Sequence, residues 1–153
     1  TIILDGPTSG GDSPLDTDGS MWINGGYIVA VGSNGMLEIP SDDSKQNVLV
    51  VSLSEAVQKE TIINIKNSSG EDIITFKPSK EYQALIFSSP DLDSDDTYTI
   101  SYGGTAESES IDGLYSQPSN YIGGTEIGSI TTSETISKLG TFGGRFGGGR
   151  GGF

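Results

Sequence analysis

Apolar residues along this chain follow two patterns. In residues 1–40 they form short, near-continuous runs, Ile2-Ile3-Leu4, Met21-Trp22-Ile23 and Tyr27-Ile28-Val29-Ala30-Val31, parted by Gly-Gly, Asn-Gly and Asp-rich turns. Such runs suit strands buried on both faces or stacked in a solenoid. From residue 48 to 102 the apolar positions alternate with polar ones. Thr61–Lys66 and Asp72–Lys77 flank Asn67-Ser68-Ser69-Gly70-Glu71, a strong hairpin signal. Thr97–Tyr102 is a clean period-2 strand. Further strands are expected at Thr1–Asp5, Ser20–Ile23, Tyr27–Val31, Val48–Leu53, Tyr82–Phe87 and Glu126–Ile136, each bounded by turn-forming residues. One short helix is expected over Leu53–Glu60, with Ser54 as N-cap. The polar stretch 41–47 reads as a linker between the two patterns.

Composition narrows the chemistry. Cysteine and histidine are both absent from the 153 residues. That removes thiol nucleophiles, disulfides, imidazole bases, Ser-His-Asp triads and nearly all zinc sites. Acids outnumber bases 21 to 8, for a net charge of −13. Nucleic acid is not an expected partner, because binding to phosphates requires clustered Lys and Arg. No apolar run approaches the ~18 residues of a membrane span, and no segment reads as a signal peptide. Low lysine with abundant Asp, Ser, Thr and Gly leans toward an exported bacterial protein. The chain opens directly on a strand, as a piece of a longer protein or a processed product would.

The charge is unevenly placed. Residues 141–153 (TFGGRFGGGRGGF) hold seven glycines, three phenylalanines and both arginines, so the remaining residues carry −15 and this tail +2. Such glycine density cannot offset its own ordering entropy. Facing an acidic body, Phe142, Arg145, Phe146, Arg150 and Phe153 make a sticker for a neighbouring copy, and self-association is expected.

Among acidic groups, Asp16-Thr17-Asp18-Gly19 is the best metal candidate. Calcium takes several oxygen ligands, and Asp-x-Asp places two carboxylates on one side of an extended chain. Asp5 and Asp12 would add ligands if stacked rungs brought them near. An Asx-turn explains the motif equally well. Asp91–Asp96 is more acidic still but reads as a turn. Exposed aromatic rings complement the C–H face of a pyranose. Tyr102, Tyr115 and Tyr121, beside glycines and polar residues, are expected to be exposed, whereas Trp22, within an apolar run, is expected in the core. Lys77 and Lys80 could contact acidic sugars or act as solvated edge charges.

Several of these motifs occur in one order. Asp5-Gly6-Pro7-Thr8, Leu15-Asp16-Thr17-Asp18-Gly19 and Ile23-Asn24-Gly25-Gly26 through Met36 are followed by Thr75-Phe76-Lys77-Pro78, Lys80-Glu81-Tyr82, Phe87-Ser88-Ser89-Pro90, Thr97-Tyr98-Thr99 and Gly103-Gly104. Over residues 1–135 the chain resembles a bacterial cell-surface carbohydrate-binding family, a right-handed parallel β-helix related in architecture to pectate lyases. The resemblance implies an all-β fold, with terminal β-helix rungs over 1–40 and an antiparallel, sandwich-like module over 48–140. It also implies an extracellular polysaccharide partner, with polygalacturonate and cellulose as family ligands, and bound Ca²⁺, which favours the metal reading of Asp5, Asp12, Asp16 and Asp18. It further implies that the N-terminal β-helix body precedes this point. Two functions are therefore expected: a calcium-supported, non-catalytic polysaccharide binder using Tyr102, Tyr115, Tyr121, Lys77 and Lys80, or a structural subunit of an extracellular filament or layer. Pectate-lyase-type elimination ranks last, since no calcium site with a positioned Arg or Lys base is visible.

Overall fold

The computed structural model describes residues 1–142. Among the described residues there is no helix; the fold is all-β, built of two sheets. The strands are β1 (Ile2–Asp5), β2 (Ile28–Gly32), β3 (Val48–Val57), β4 (Ile63–Lys66), β5 (Asp72–Phe76), β6 (Tyr82–Ser88), β7 (Thr97–Thr105), β8 (Ser110–Ile111), β9 (Leu114–Tyr115), β10 (Ile122–Thr131) and β11 (Ile136–Gly140). The first sheet has the order β1-β2-β6-β3-β11 and the second β10-β7-β4-β5-β9-β8.

The first sheet is mixed. β1 lies parallel to β2, with Ile2 opposite Ile28, and β11 lies parallel to β3, while β6 runs antiparallel to both β2 and β3. The strands at 1–40 thus share a sheet with those downstream. This sheet is buried on both faces, as its unbroken apolar runs require. One face presents Val29, Val31, Leu49, Val51, Leu85 and Phe87 to the second sheet. The other presents Ala30, Val48, Val50, Ala84 and Ile86 to Ile23 and Leu37 from the long connections.

The second sheet is antiparallel throughout. Its inner face supplies Ile63, Ile65, Ile74, Phe76, Tyr98, Ile100 and Ile130 to the core it shares with the first sheet. The expected hairpin forms as β4 and β5, closed by Asn67: its Oδ1 accepts the amides of Ser69 and Glu71 at 3.0 and 2.9 Å. Asp91–Asp96 forms a turn, with Asp95 in the left-handed region at φ 62°.

Four sequence expectations are corrected. Leu53–Glu60 is not helical; β3 runs on to Val57 with a register shift between Ser52 and Val57. Eight residues are too few to stabilise a helix against a strand already paired along β6 and β11. Ser20–Ile23 forms no strand; its carbonyls instead accept the amides of the 41–46 segment. The expected strand Glu126–Ile136 is two strands in different sheets, parted at Thr132–Thr135. Trp22 is 53% exposed rather than in the core. Alternation within Met21-Trp22-Ile23 turns Ile23 inward onto the first sheet and Trp22 out.

Candidate carbohydrate-binding groove

The second sheet positions the exposed aromatic residues. Tyr102 and Ile100 are both core-side residues of β7, but Tyr102 lies beyond the end of the packed core and is 37% exposed. It lines a cleft of about 550 Å³ between the ends of the two sheets, with Leu53, Val57, Ile127, Glu55 and Glu126. Thr61 lies in this cleft and also in a neighbouring one of about 390 Å³, which holds Lys77, Tyr115, Glu60 and the Gly103–Ala106 backbone. The two clefts share Thr61, at the end of the β4–β5 hairpin. Lys77 is fixed there because its amide donates to the Gly113 carbonyl at 2.8 Å, placing it beside the β8–β9 turn that carries Tyr115. Beneath the groove, Tyr82 donates its hydroxyl to the Thr61 carbonyl at 3.0 Å. Burial, with the nearby phenols of Tyr121 and Tyr102, pushes the Tyr82 phenol well above its ordinary value, so it remains a donor.

Two of the five expected sugar-binding residues, Lys77 and Tyr115, line one cleft, and a third, Tyr102, lines the neighbouring one. Lys80 does not join them. Its ammonium donates to the Asp5 carbonyl at 3.0 Å, and Ser79 gives its amide (3.0 Å) and hydroxyl (2.5 Å) to the Asp5 carboxylate. Tyr121 is a correction, because it is 6% exposed, not a surface platform. Its ring fills the notch left by Gly104 and Gly124: a Cβ on Gly124 would stand 1.6 Å from the Tyr121 hydroxyl, and one on Gly104 3.0 Å from the ring. Gly124, one of the neighbouring glycines that suggested exposure, helps to bury it. Among the described residues the Tyr121 hydroxyl has no hydrogen-bond partner.

The four aspartates expected to bind calcium are not gathered. Asp5 is engaged by Ser79, whereas Asp12, Asp16 and Asp18 lie exposed in the 6–27 connection. Among the described residues no group of three acidic side chains stands close enough to hold a metal ion. Asp16 instead lies beside Glu38, whose carboxylate accepts the Thr17 amide at 2.8 Å and hydroxyl at 3.1 Å. The Glu38 charge is the main influence raising the Asp16 carboxyl above the usual range, with smaller contributions from burial and Asp12. Sequence reasoning missed Glu38, which lies 22 positions from Asp16 and is brought near only by the fold.

It also missed the polar cluster on the outer face of the second sheet. Asp72, whose side chain is 6% exposed, pairs with the Lys66 ammonium at 3.1 Å. It accepts hydrogen bonds from Ser119 Oγ at 2.6 Å and Asn64 Nδ2 at 3.1 Å, and Ser119 Oγ lies 2.6 Å from Thr75 Oγ1. Burial alone would raise the Asp72 carboxyl; the bonds from Ser119 and Asn64 and the Lys66 charge outweigh it and hold the carboxyl below the usual range. Polar residues at outward positions of period-2 strands were the available signal. Ser119, more than forty positions away, had none.

Phe142 packs on its own chain, against the outer apolar cluster of the first sheet, with the Lys138 ammonium 5.8 Å from its ring centre. Arg145, Phe146, Arg150 and Phe153 lie outside the described residues. Among the described residues no helix is long and apolar enough to cross a membrane. Comparison of the chain with family models, with curated proteins and with solved structures finds no match.

Proposed function

We propose that this protein is a non-catalytic, extracellular polysaccharide-binding module of a bacterial surface, using the groove of Tyr102, Lys77 and Tyr115. The observation that carries this reading is that those three residues, separate in sequence, line two clefts that share Thr61. An exposed phenol offers a ring face to a pyranose and a hydroxyl to its rim. Lys77 offers a cation to an acidic sugar. The ordered motifs resembling the bacterial carbohydrate-binding β-helix family support the same ligand class. So does the parallel β1–β2 pair, read as one rung: its register advances from Ile2 to Ile28.

Charge constrains the ligand. A chain at −13 repels polygalacturonate, itself a polyanion, so binding requires bridging cations. Calcium suits this role. A pull-down on immobilised polygalacturonate, with calcium and with chelator, tests it. Retention that chelator abolishes is expected. Retention indifferent to chelator would remove calcium from the mechanism, and retention on neutral glucan alone would remove Lys77.

A second reading, a structural subunit adding strand to strand, is favoured by the first sheet's ends. β1 and β11 are its outermost strands, and Ile2 on β1 is 50% exposed. Unpaired edges template another chain. Ile2→Lys should abolish any filaments seen by electron microscopy; filaments that persist would exclude β1 as the contact.

A further inference from the structure

The cleft lined by Tyr102 lies where the described residues end. Gly140 and Thr141 form part of its wall, and eleven residues, 143–153, follow Phe142. We infer that this cleft seats the chain's own C-terminal segment, with Arg145 against Glu55 and Glu126 and Phe146 on the apolar wall of Leu53, Val57 and Ile127. The contact is within one chain, and it does not rest on the polysaccharide reading.

Three observations converge on it. The first is an unfinished strand edge. β11 pairs with β3 only from Val48 to Ser52, whereas β3 runs on to Val57. Among the described residues no strand pairs with Leu53–Val57 on the β11 side. Such an edge takes up an extended segment, and the nearest one in the chain is the segment that follows β11.

The second is anchorage. The Thr141 amide donates to the Ser52 carbonyl at 3.0 Å, and the Ser52 hydroxyl donates back to the Thr141 carbonyl at 2.5 Å. Phe142 packs on the outer apolar cluster of the first sheet. The segment therefore starts from a fixed point on the rim of the cleft. Four residues of extended chain reach about 14 Å, which brings Arg145 within range of a wall that begins at Thr141.

The third is charge. Glu55 and Glu126 are exposed, and among the described residues neither takes part in an ion pair. The cleft carries these two carboxylates and no basic side chain. Both arginines of the protein, Arg145 and Arg150, lie in the segment that follows.

Exposed ion pairs are worth little singly, and ordering glycine is costly. The tether offsets both. A linker of a few residues holds Arg145 and Phe146 at an effective concentration on the order of millimolar, so a weak contact suffices. Ordering is required only of residues 143–146. Tyr102 lines the same cleft, so a ligand that uses it must first displace this segment.

The protein has no cysteine, so a single nitroxide can be attached to the full chain at Gly148→Cys, and its broadening of ¹⁵N-labelled amides tests the seat without any sugar present. Broadening should concentrate at residues 52–58 and 125–127 and be unchanged on dilution. Arg145→Glu with Phe146→Ala, both outside the two sheets, should reduce it several-fold. Adding Glu55→Arg and Glu126→Arg to Arg145→Glu should restore it. Broadening equal in the Arg145→Glu, Phe146→Ala variant would show mere nearness of the tether and overturn the seat, as would broadening centred elsewhere. Broadening of ¹⁵N-labelled chains without nitroxide, when mixed with unenriched chains that carry it, would place the segment on a neighbouring copy and overturn the contact within one chain.

Discussion

The two sheets solve the same problem in opposite ways. Each must cover an outer face. The first covers its face with apolar side chains from the connections, Ile23 and Leu37 among them, sealed onto Ala30, Val50 and Ile86. The second covers part of its face with a charge network in which Asp72, Asn64, Thr75 and Ser119 satisfy one another. The apolar cover is non-directional and tolerates a shift in how the connections lie. The polar cover is a directional network in which Ser119 bonds both Asp72 and Thr75, which fixes the 116–121 segment in place. The difference teaches where binding can occur. The Lys77–Tyr115 cleft lies on the second sheet, and the Tyr102 cleft lies between the ends of the two sheets.

Changes that strike the shared core should have the largest effect. Phe87, fully buried between the sheets and edge-on to Tyr27 at 5.4 Å, belongs to both. Phe87→Ala should lower unfolding free energy by about 3–5 kcal/mol, read by denaturant titration. Next comes the polar cover. Asp72→Asn should cost about 1–3 kcal/mol, because Ser119 loses a charged acceptor within a buried network. The same carboxylate makes the second sheet acid-sensitive. Its folded value lies below its unfolded one, so its stabilisation is present at neutral pH and lost as pH falls through the ordinary carboxylate range and below. Amide exchange in 116–121 should accelerate at acid pH before exchange in β2, β3 and β6 does. Equal acceleration in both would erase the contrast.

Gly124→Ala should destabilise by about 1–3 kcal/mol, since the new methyl meets the Tyr121 hydroxyl and displaces the ring. Tyr121→Phe should have the smallest effect, within about 1 kcal/mol and toward greater stability, because it removes a buried hydroxyl that has no partner among the described residues. A large loss from Tyr121→Phe would show that this hydroxyl is bonded after all.

The contrast between the sheets was largely legible in the sequence. Unbroken runs such as Tyr27–Val31 marked strands buried on both faces, and alternation in Thr61–Lys66 marked strands with one polar face. Pairing was less legible. Nothing in Ile136–Gly140 announces a parallel partner, since parallel register depends on long connections rather than a turn. The groove was half legible: Tyr102, Tyr115 and Lys77 stood out as residue types, but their convergence follows from hairpin geometry. Tyr121 misled because glycine neighbours signal either exposure or a notch for a ring, and only packing distinguishes them. Glu38 and Ser119 act on partners 20 to 50 positions away and left no local trace.

The central claim is that the hairpin end bearing Tyr102, Lys77 and Tyr115 holds a polysaccharide chain. Mapping amide shifts on adding an oligogalacturonate with calcium tests it directly. The account predicts perturbations concentrated at residues 60–61, 77, 102–106 and 115, lost in Tyr102→Ala. Perturbations absent there, or unchanged in that variant, would contradict it.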